Sequence, residues 1–111
     1  MTVYDTTHEL ARQLRESKEY KEYKQMKEII YANPELKKQV EEFEKIRYEA
    51  QMLTIHEGKQ DEEKMKKLQE LYTILLNNKD VKKFFDTQVR FNVMLADVNK
   101  IIGEAVKDVL Q

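Results

Sequence analysis

Two histidines, His8 and His56, are the side chains of this sequence best suited to proton transfer or metal binding near neutral pH. Neither has a second ligand at metal-site spacing, because the sequence contains no His-Glu-x-x-His, no His-x-x-x-His and no Asp-x-Asp start of a calcium loop. His56 and Glu57 stand directly before Gly58, an order that is typical of a helix end. We therefore predict no metal site and no cofactor site.

The remaining residue types also argue against catalysis. Without cysteine, the chain can form neither a disulfide nor Cys-ligated zinc or iron-sulfur clusters, and it has no thiolate nucleophile. Carboxylates are plentiful, but they fall on the polar faces of predicted helices, whereas paired catalytic acids need a desolvated cleft that separates their pKa values. Two glycines cannot build a phosphate-cradling loop, and no Gly-x-Ser-x-Gly motif occurs. We predict that the protein is not an enzyme and has no catalytic residues.

The charges are numerous but balanced. Twenty basic residues face 21 acidic ones, for a net charge of -1, whereas nucleic-acid-binding proteins usually carry a surplus of Lys and Arg. We interpret the charges as the solvated faces of helices. The N-terminal ten residues lack the basic and apolar regions of a signal peptide, and no apolar run approaches the roughly 18 residues of a membrane span. We expect a cytoplasmic protein without membrane insertion.

Apolar residues recur every three or four positions along most of the chain, which predicts helices. Only two Gly and one Pro are present, and turns and strands need such residues more often. The expected fold is an all-α, bundle-like single domain over residues 1–111, with two long helical hairpins after a short N-terminal helix. The five expected helices cover about 7–16, 18–32, 34–57, 61–77 and 79–110.

Residues with capping chemistry set these boundaries. Thr6 and Glu9 fit a capping box, in which each side chain satisfies a free backbone N–H group. Pro34 is expected in a first turn, and Gly58 in a left-handed C-cap. The full set of expected structural caps is Thr6, Ser17, Asn33, Pro34, Gly58, Asp61 and Asn78.

One pattern occurs twice, in "YANPELKKQVEEFEKI" (31–46) and "LNNKDVKKFFDTQVRF" (76–91). In both, the order is Asn, any residue, an acid, an aliphatic residue and two lysines. We interpret Asn33 and Asn78 as the corners of two helical hairpins, at about 17–58 and 61–102. An ancient duplication and independent convergence on good capping chemistry both account for the pattern.

The two longest helices exceed what a small globule can cover. At 1.5 Å per residue they should span about 36 Å and 45 Å, against a radius of gyration near 13 Å for a compact chain of this length. A second copy would cover the overhanging apolar stripes, which predicts a homodimer. Alternatively, the first helix and second hairpin cover everything within one chain. The expected interface residues, which either face a second copy or the chain's own core, are Phe84, Phe85, Phe91, Met94, Leu95 and Val98.

The last helix also contains two residues that disturb its pattern. Gln88 is a polar residue in an otherwise apolar heptad seam that runs from Val81 to Val109. Gly103 costs about 1 kcal/mol relative to Ala inside a helix. At Gly103 we expect a bend, a close helix contact or fraying.

Three segments carry a family resemblance: "YDTTHELARQLRESKEYKEYKQ" (4–25), "NPELKKQVEEFEKI" (33–46) and "NVMLADVNKIIGEAV" (92–106). Together they resemble the YheA branch of the YlbF/YmcA family. The resemblance implies a small, all-helical, dimeric bacterial protein. Some family members act in a multi-protein complex that affects competence, biofilm formation, sporulation and mRNA processing, and carry cysteines linked to iron-sulfur clusters. This chain departs from those members because it has no cysteine.

These observations lead to one expected function and one alternative. The first is a non-enzymatic, homodimeric interaction or scaffold protein, acting as a regulatory adaptor in RNA processing or developmental control through an unidentified protein partner. The alternative is a nucleic-acid-associated protein that uses lysines near the Asn33 and Asn78 corners. Those lysines are Lys37, Lys38, Lys82 and Lys83.

Overall fold

The computed structural model describes residues 2–110, which form five α-helices and no strand. The helices are α1 (Val3–Glu16), α2 (Lys18–Tyr31), α3 (Pro34–Glu57), α4 (Glu62–Leu76) and α5 (Lys79–Leu110). The expectation of an all-α, five-helix fold is confirmed. The expected outer bounds of the domain, residues 1 and 111, lie outside the described residues.

Helix α1 begins one turn earlier than expected. The Thr2 hydroxyl accepts a hydrogen bond from the Asp5 N–H, and the Asp5 carboxylate accepts one from the Thr2 N–H, both at 3.1 Å. Thr6 therefore lies inside the helix, where its hydroxyl donates to the Thr2 carbonyl oxygen, and its prediction as the cap was wrong. The sequence contains the Thr-x-x-acid pattern twice, at Thr2 and at Thr6. The earlier box prevails because each residue added to an existing helix gains a backbone hydrogen bond.

Three other helix boundaries are each set by a single residue. Ser17 separates α1 from α2, and its Oγ accepts from the Tyr20 N–H at 3.1 Å. Gly58 ends α3 in the left-handed region, with φ 65° and ψ 18°. Asp61 precedes α4, and its Oδ1 accepts from the Lys64 N–H at 3.1 Å. Ser17 and Asp61 thus satisfy backbone N–H groups that the first turn of a helix leaves free, and Gly58 adopts the left-handed backbone that ends a helix.

The repeated Asn pattern builds the same corner twice. Asn33 Oδ1 accepts from the backbone N–H groups two and three residues further on, at 3.1 and 3.2 Å. Asn78 Oδ1 accepts from the equivalent two groups at 2.9 and 3.2 Å. Pro34 occupies the first turn of α3, where its missing N–H group costs nothing. The recurrence of Asn-x-acid thus follows from capping geometry.

Two antiparallel pairs of helices make most of the packing. Helix α2 lies along the N-terminal half of α5, as the ion pair between Glu22 and Arg90 shows. Helix α3 lies along α4, where Lys64 Nζ is 2.9 Å from Glu49 Oε2. The pairs meet in one core, which contains Met26, Ile30, Val40, Phe43, Leu75, Val81, Phe84 and Phe85.

The molecule is elongated. Its radius of gyration is 17.6 Å, against about 13 Å for a compact chain of this length. No residue of α1 is buried, and the buried residues of α5 all lie between Val81 and Gln88. The two ends of the chain therefore extend away from the core as helices with little cover.

Candidate protein-interaction surface

The apolar seam of α5 is covered along its first part only. At 3.6 residues per turn, the seam residues share one face of the helix. Phe84 is 1% exposed, Phe91 is half-buried, and every residue from 99 to 110 is exposed. The seam members are Val81, Phe84, Gln88, Phe91, Leu95, Val98, Ile102, Ala105 and Val109. The face that makes the core thus continues, uncovered, to the C-terminal end of the helix.

The cover ends because α2 is much shorter than α5. Helix α2 has 14 residues and α5 has 32, and α2 runs antiparallel to α5 from Lys18 onward. An open groove remains beside the first turn of α2, lined by Glu22 and, on α5, by Val93, Val98 and Ile101. Beyond this groove every residue of α5 from 99 to 110 is exposed. We call the exposed apolar residues of α5 from Leu95 to Leu110 the α5 face.

Helix α1 does not supply the missing cover. The backbone at Ser17 is extended, with φ -66° and ψ 151°, and among the described residues the backbone of α1 comes close to that of α2 but not to that of α5. Leu10 and Leu14 are half-buried, while Val3 and Tyr4 are exposed. Helix α1 therefore presents a second, smaller apolar surface of its own.

The structure divides the expected interface residues into two groups. Phe84 and Phe85 lie in the core of the chain, in contact with each other at a ring separation of 5.6 Å. Of the two expected alternatives, a second copy or the chain's own core, these two residues therefore face the core, and they are not interface residues. Phe91 is half-buried, with its ring 6.1 Å from that of Tyr20 and 5.5 Å from that of Tyr23.

The other three expected residues lie at the start of the uncovered surface. Met94 and Val98 are half-buried and Leu95 is exposed. The expected interface residues did not include Ile101 and Ile102, which are exposed in the middle of the α5 face. The available signal was the length of α5, which exceeds that of α2 by about five turns and leaves its C-terminal part without a helix to pair with.

The charged residues of this segment lie on the opposite side of α5. Between residues 95 and 110 there are two lysines and three carboxylates. A membrane surface or a nucleic acid would favour a surplus of basic residues here. An apolar face backed by charges of both signs is typical of a helix that contacts protein.

Sequence comparison supports a family assignment that agrees with this geometry. A family model described as "Control of competence regulator ComK, YlbF/YmcA" matches residues 3–107. The chain belongs to this YlbF/YmcA family. It is 36% identical to a UPF0342 protein of Clostridium novyi, over 97% of this chain and 95% of the relative. It is 34% identical to a UPF0342 protein of Desulfitobacterium hafniense, over 99% of this chain and 89% of the relative.

Gln88 is the polar residue within the covered part of the seam of this YlbF/YmcA-family chain. Its side-chain amide donates to Tyr23 Oη at 3.2 Å and to Glu44 Oε1 at 3.1 Å. These bonds join α5 to α2 and α3, and they satisfy an amide that is 8% exposed. Gln88 therefore has a structural role, which explains why a polar residue interrupts the heptads.

The residues best suited to catalysis or metal binding do not lie close together in this family member. His8 and His56 are both exposed, on α1 and at the end of α3. Across residues 2–110, no three His, Cys, Asp or Glu side chains are grouped so that they could hold a metal ion. No helix in the same range is long and apolar enough to cross a membrane.

The perturbed ionisable groups are explained by ion pairs and burial. The hydrogen bond from Lys64 lowers the pKa of Glu49, and the same contact raises the pKa of Lys64. Burial raises the pKa of Tyr31, with Glu44 and Glu41 acting in the same direction. These contacts hold helices together, and none of them faces an enclosed cleft.

The lysines of the two Asn corners are exposed, but one of them is engaged within the chain. Lys37 Nζ lies 3.9 Å from Glu41 and 5.5 Å from the centre of the Tyr31 ring. Lys27 lies over the same ring, at 5.4 Å. Contacts with Tyr31 and Glu41 thus engage lysines that a nucleic-acid site would need for phosphate binding.

Proposed function

We propose that this chain is a non-enzymatic helical adaptor that binds other proteins, works as a homodimer and takes part in regulation. The observation that carries the proposal is the α5 face, which is the uncovered continuation of the core. Burying a Leu, Ile or Val side chain is worth roughly 1.5–3 kcal/mol. A helix with several such residues exposed to water is therefore typical of a site that binds the apolar surface of another molecule.

The family supports a regulatory role with protein partners. Its description refers to the control of the competence regulator ComK. We propose that the chain acts in developmental control or RNA processing, in the cytoplasm. Within the family we propose the YheA branch, because the segments 4–25, 33–46 and 92–106 resemble it. Since the chain has no cysteine, we propose that it acts without the iron-sulfur clusters of its cysteine-containing relatives.

Affinity purification of the full chain from a bacterium that encodes it, combined with light scattering, tests the proposal. We expect a mass of two copies and the same protein partner in repeated purifications with different tags. A monomer that co-purifies with nothing would refute the proposal. Recovery of RNA that is lost as salt increases would favour the nucleic-acid alternative instead.

A further inference from the structure

We propose that the α5 face pairs, antiparallel, with the α5 face of a second copy across a two-fold axis near Lys100. The proposal rests on the homodimeric function above and adds the surface that forms the dimer. It accounts for an otherwise unexplained feature, because α5 extends its apolar seam well beyond the helices of its own chain.

The exposure of the face is the first argument. Ile101 is 71% exposed, Ile102 52% and Val109 75%, yet all three are large aliphatic residues on the side of α5 that forms the core further upstream. Single exposed apolar residues are common on proteins, but a contiguous stripe along more than four turns of helix is not. Such a stripe marks a site that is covered in the functional assembly.

The size of the surface is the second argument. From Leu95 to Leu110 the helix is about 24 Å long. Taken as half of a cylinder about 12 Å across, this length presents roughly 450 Å² per copy and about 900 Å² in a symmetric pair. Stable protein interfaces bury about 1,200–2,000 Å² in total. Two copies of the face therefore supply most of the area of a small stable interface, and the adjoining groove at Val93 and Val98 extends it.

The spacing of the seam is the third argument. With the axis near Lys100, Val98 opposes the partner's Ile102, and Leu95 opposes the partner's Ala105. Larger residues thus meet equal or smaller ones, as knobs-into-holes packing requires. The positions beside the axis, Asn99 and Ile101, are uncharged, so no like charges meet their own copies there. The paired faces therefore fit each other in shape and bring no like charges together beside the axis.

Other occupants fit less well. The opposite side of this segment carries Asp97, Lys100, Glu104, Lys107 and Asp108, which gives neither a membrane nor a nucleic acid the positive charge it needs. Helix α1 of the same chain turns away at Ser17. A helix of another protein remains as a competing outcome, which the experiment separates.

The first test is the substitution Ile102→Glu, which places a carboxylate in the middle of the paired face. Since a buried, unpaired charge is strongly unfavourable, we expect the dimer Kd to rise by on the order of 100-fold or more. The matched control is Ile74→Glu, because Ile74 is a similarly exposed isoleucine, at 59%, on α4. We expect this control to dimerise like the wild type when measured by analytical ultracentrifugation. Circular dichroism verifies that both variants keep their helices.

The second test uses the absence of natural cysteine. A short bismaleimide should link two copies of the Ile101→Cys variant, because this position lies beside the axis. The Lys107→Cys variant, on the opposite side of α5, should stay unlinked.

The outcomes distinguish the two proposals. A wild-type monomer refutes the homodimer and the pairing together. A wild-type dimer that persists in Ile102→Glu, or that links equally well at residue 107, refutes the pairing and leaves the homodimer intact. A wild-type monomer that loses a co-purified protein upon Ile102→Glu assigns the face to another protein.

Discussion

The two glycines of the chain should respond in opposite ways to the same substitution. Gly58 ends α3 with φ 65°, whereas Gly103 lies inside the continuous helix α5. At neither position would a Cβ atom meet another atom within 4 Å. Backbone conformation, rather than space, therefore decides the effect of adding a side chain.

The expected magnitudes follow from that difference. An L-residue in the left-handed region costs about 1–2 kcal/mol, part of which is offset because alanine also restricts the unfolded chain. Gly58→Ala should thus lower the free energy of unfolding by about 1 kcal/mol. Replacing a helical glycine by alanine should raise it by about 0.8–1 kcal/mol, which is the expectation for Gly103→Ala.

Asparagine supplies the control, because it tolerates the left-handed region better than alanine but is a poorer helix former. Stability should decrease in the order Gly, Asn, Ala at residue 58 and in the order Ala, Asn, Gly at residue 103. Urea denaturation followed by circular dichroism measures both series, with about 0.5 M change in midpoint for each kcal/mol at a slope near 2 kcal/mol/M. All variants must have the same protein concentration, since dimerisation adds to stability.

The reasoning is refuted if alanine shifts both midpoints in the same direction. A stabilising Gly58→Ala would show that the end of α3 does not keep its left-handed residue. A destabilising Gly103→Ala would show that a neighbouring helix approaches α5 closely there, which is one of the three features expected at Gly103 from the sequence. In the structure, α5 shows neither that close contact nor an interruption at Gly103.

Three further changes test the core, the polar junction and a surface ion pair. Phe84→Ala should lower the free energy of unfolding by about 3–5 kcal/mol, whereas Val93→Ala, at an exposed position, should change it by less than about 0.5 kcal/mol in the same denaturation assay. Gln88→Ala leaves Tyr23 and Glu44 without their hydrogen-bond donor and should lower the free energy of unfolding by about 1–3 kcal/mol. Gln88→Leu should recover part of this loss, because its side chain fills the space that alanine leaves empty. For the ion pair, the lowered pKa of Glu49 means that its contribution is present above the unfolded-state pKa and lost as pH falls through the folded-state value. The raised pKa of Lys64 means that its contribution is present at neutral pH and lost as pH rises through the folded-state value. The stability difference between wild type and Glu49→Gln should therefore be largest near neutral pH and shrink toward both extremes and in high salt, and a difference independent of pH and salt would contradict the assignment.

The helices could be predicted from the sequence because local chemistry sets their ends. Asn33, Pro34 and Gly58 act on backbone groups within three or four residues, so their effect is readable without knowing the fold. The error at Thr6 has the same local origin. Two capping boxes compete for the start of α1, and the choice between them depends on the hydrogen bonds that a further turn adds.

The division of the α5 seam into a covered and an uncovered part could not be predicted. Periodicity gives the angular position of an apolar residue on its helix, but it does not say which neighbour covers that position. Phe84 and Ile102 share a face and differ only in whether α2 reaches them. That depends on how α2 packs along α5 and on the direction in which the chain turns at Ser17, both of which are tertiary properties.

The distribution of polar residues along the seam adds a consequence for assembly. A polar residue in an apolar seam fixes register, at a cost in stability. Helix α5 has such a residue at Gln88, within the covered part, where Tyr23 and Glu44 satisfy it. The seam beyond Phe91 contains only aliphatic residues. The register of the core is thus specified by hydrogen bonds, whereas that of the proposed dimer depends on shape alone. Pairing on the α5 face should consequently tolerate an exchange such as Val98→Ile, which conserves apolar character, and fail with a single buried charge.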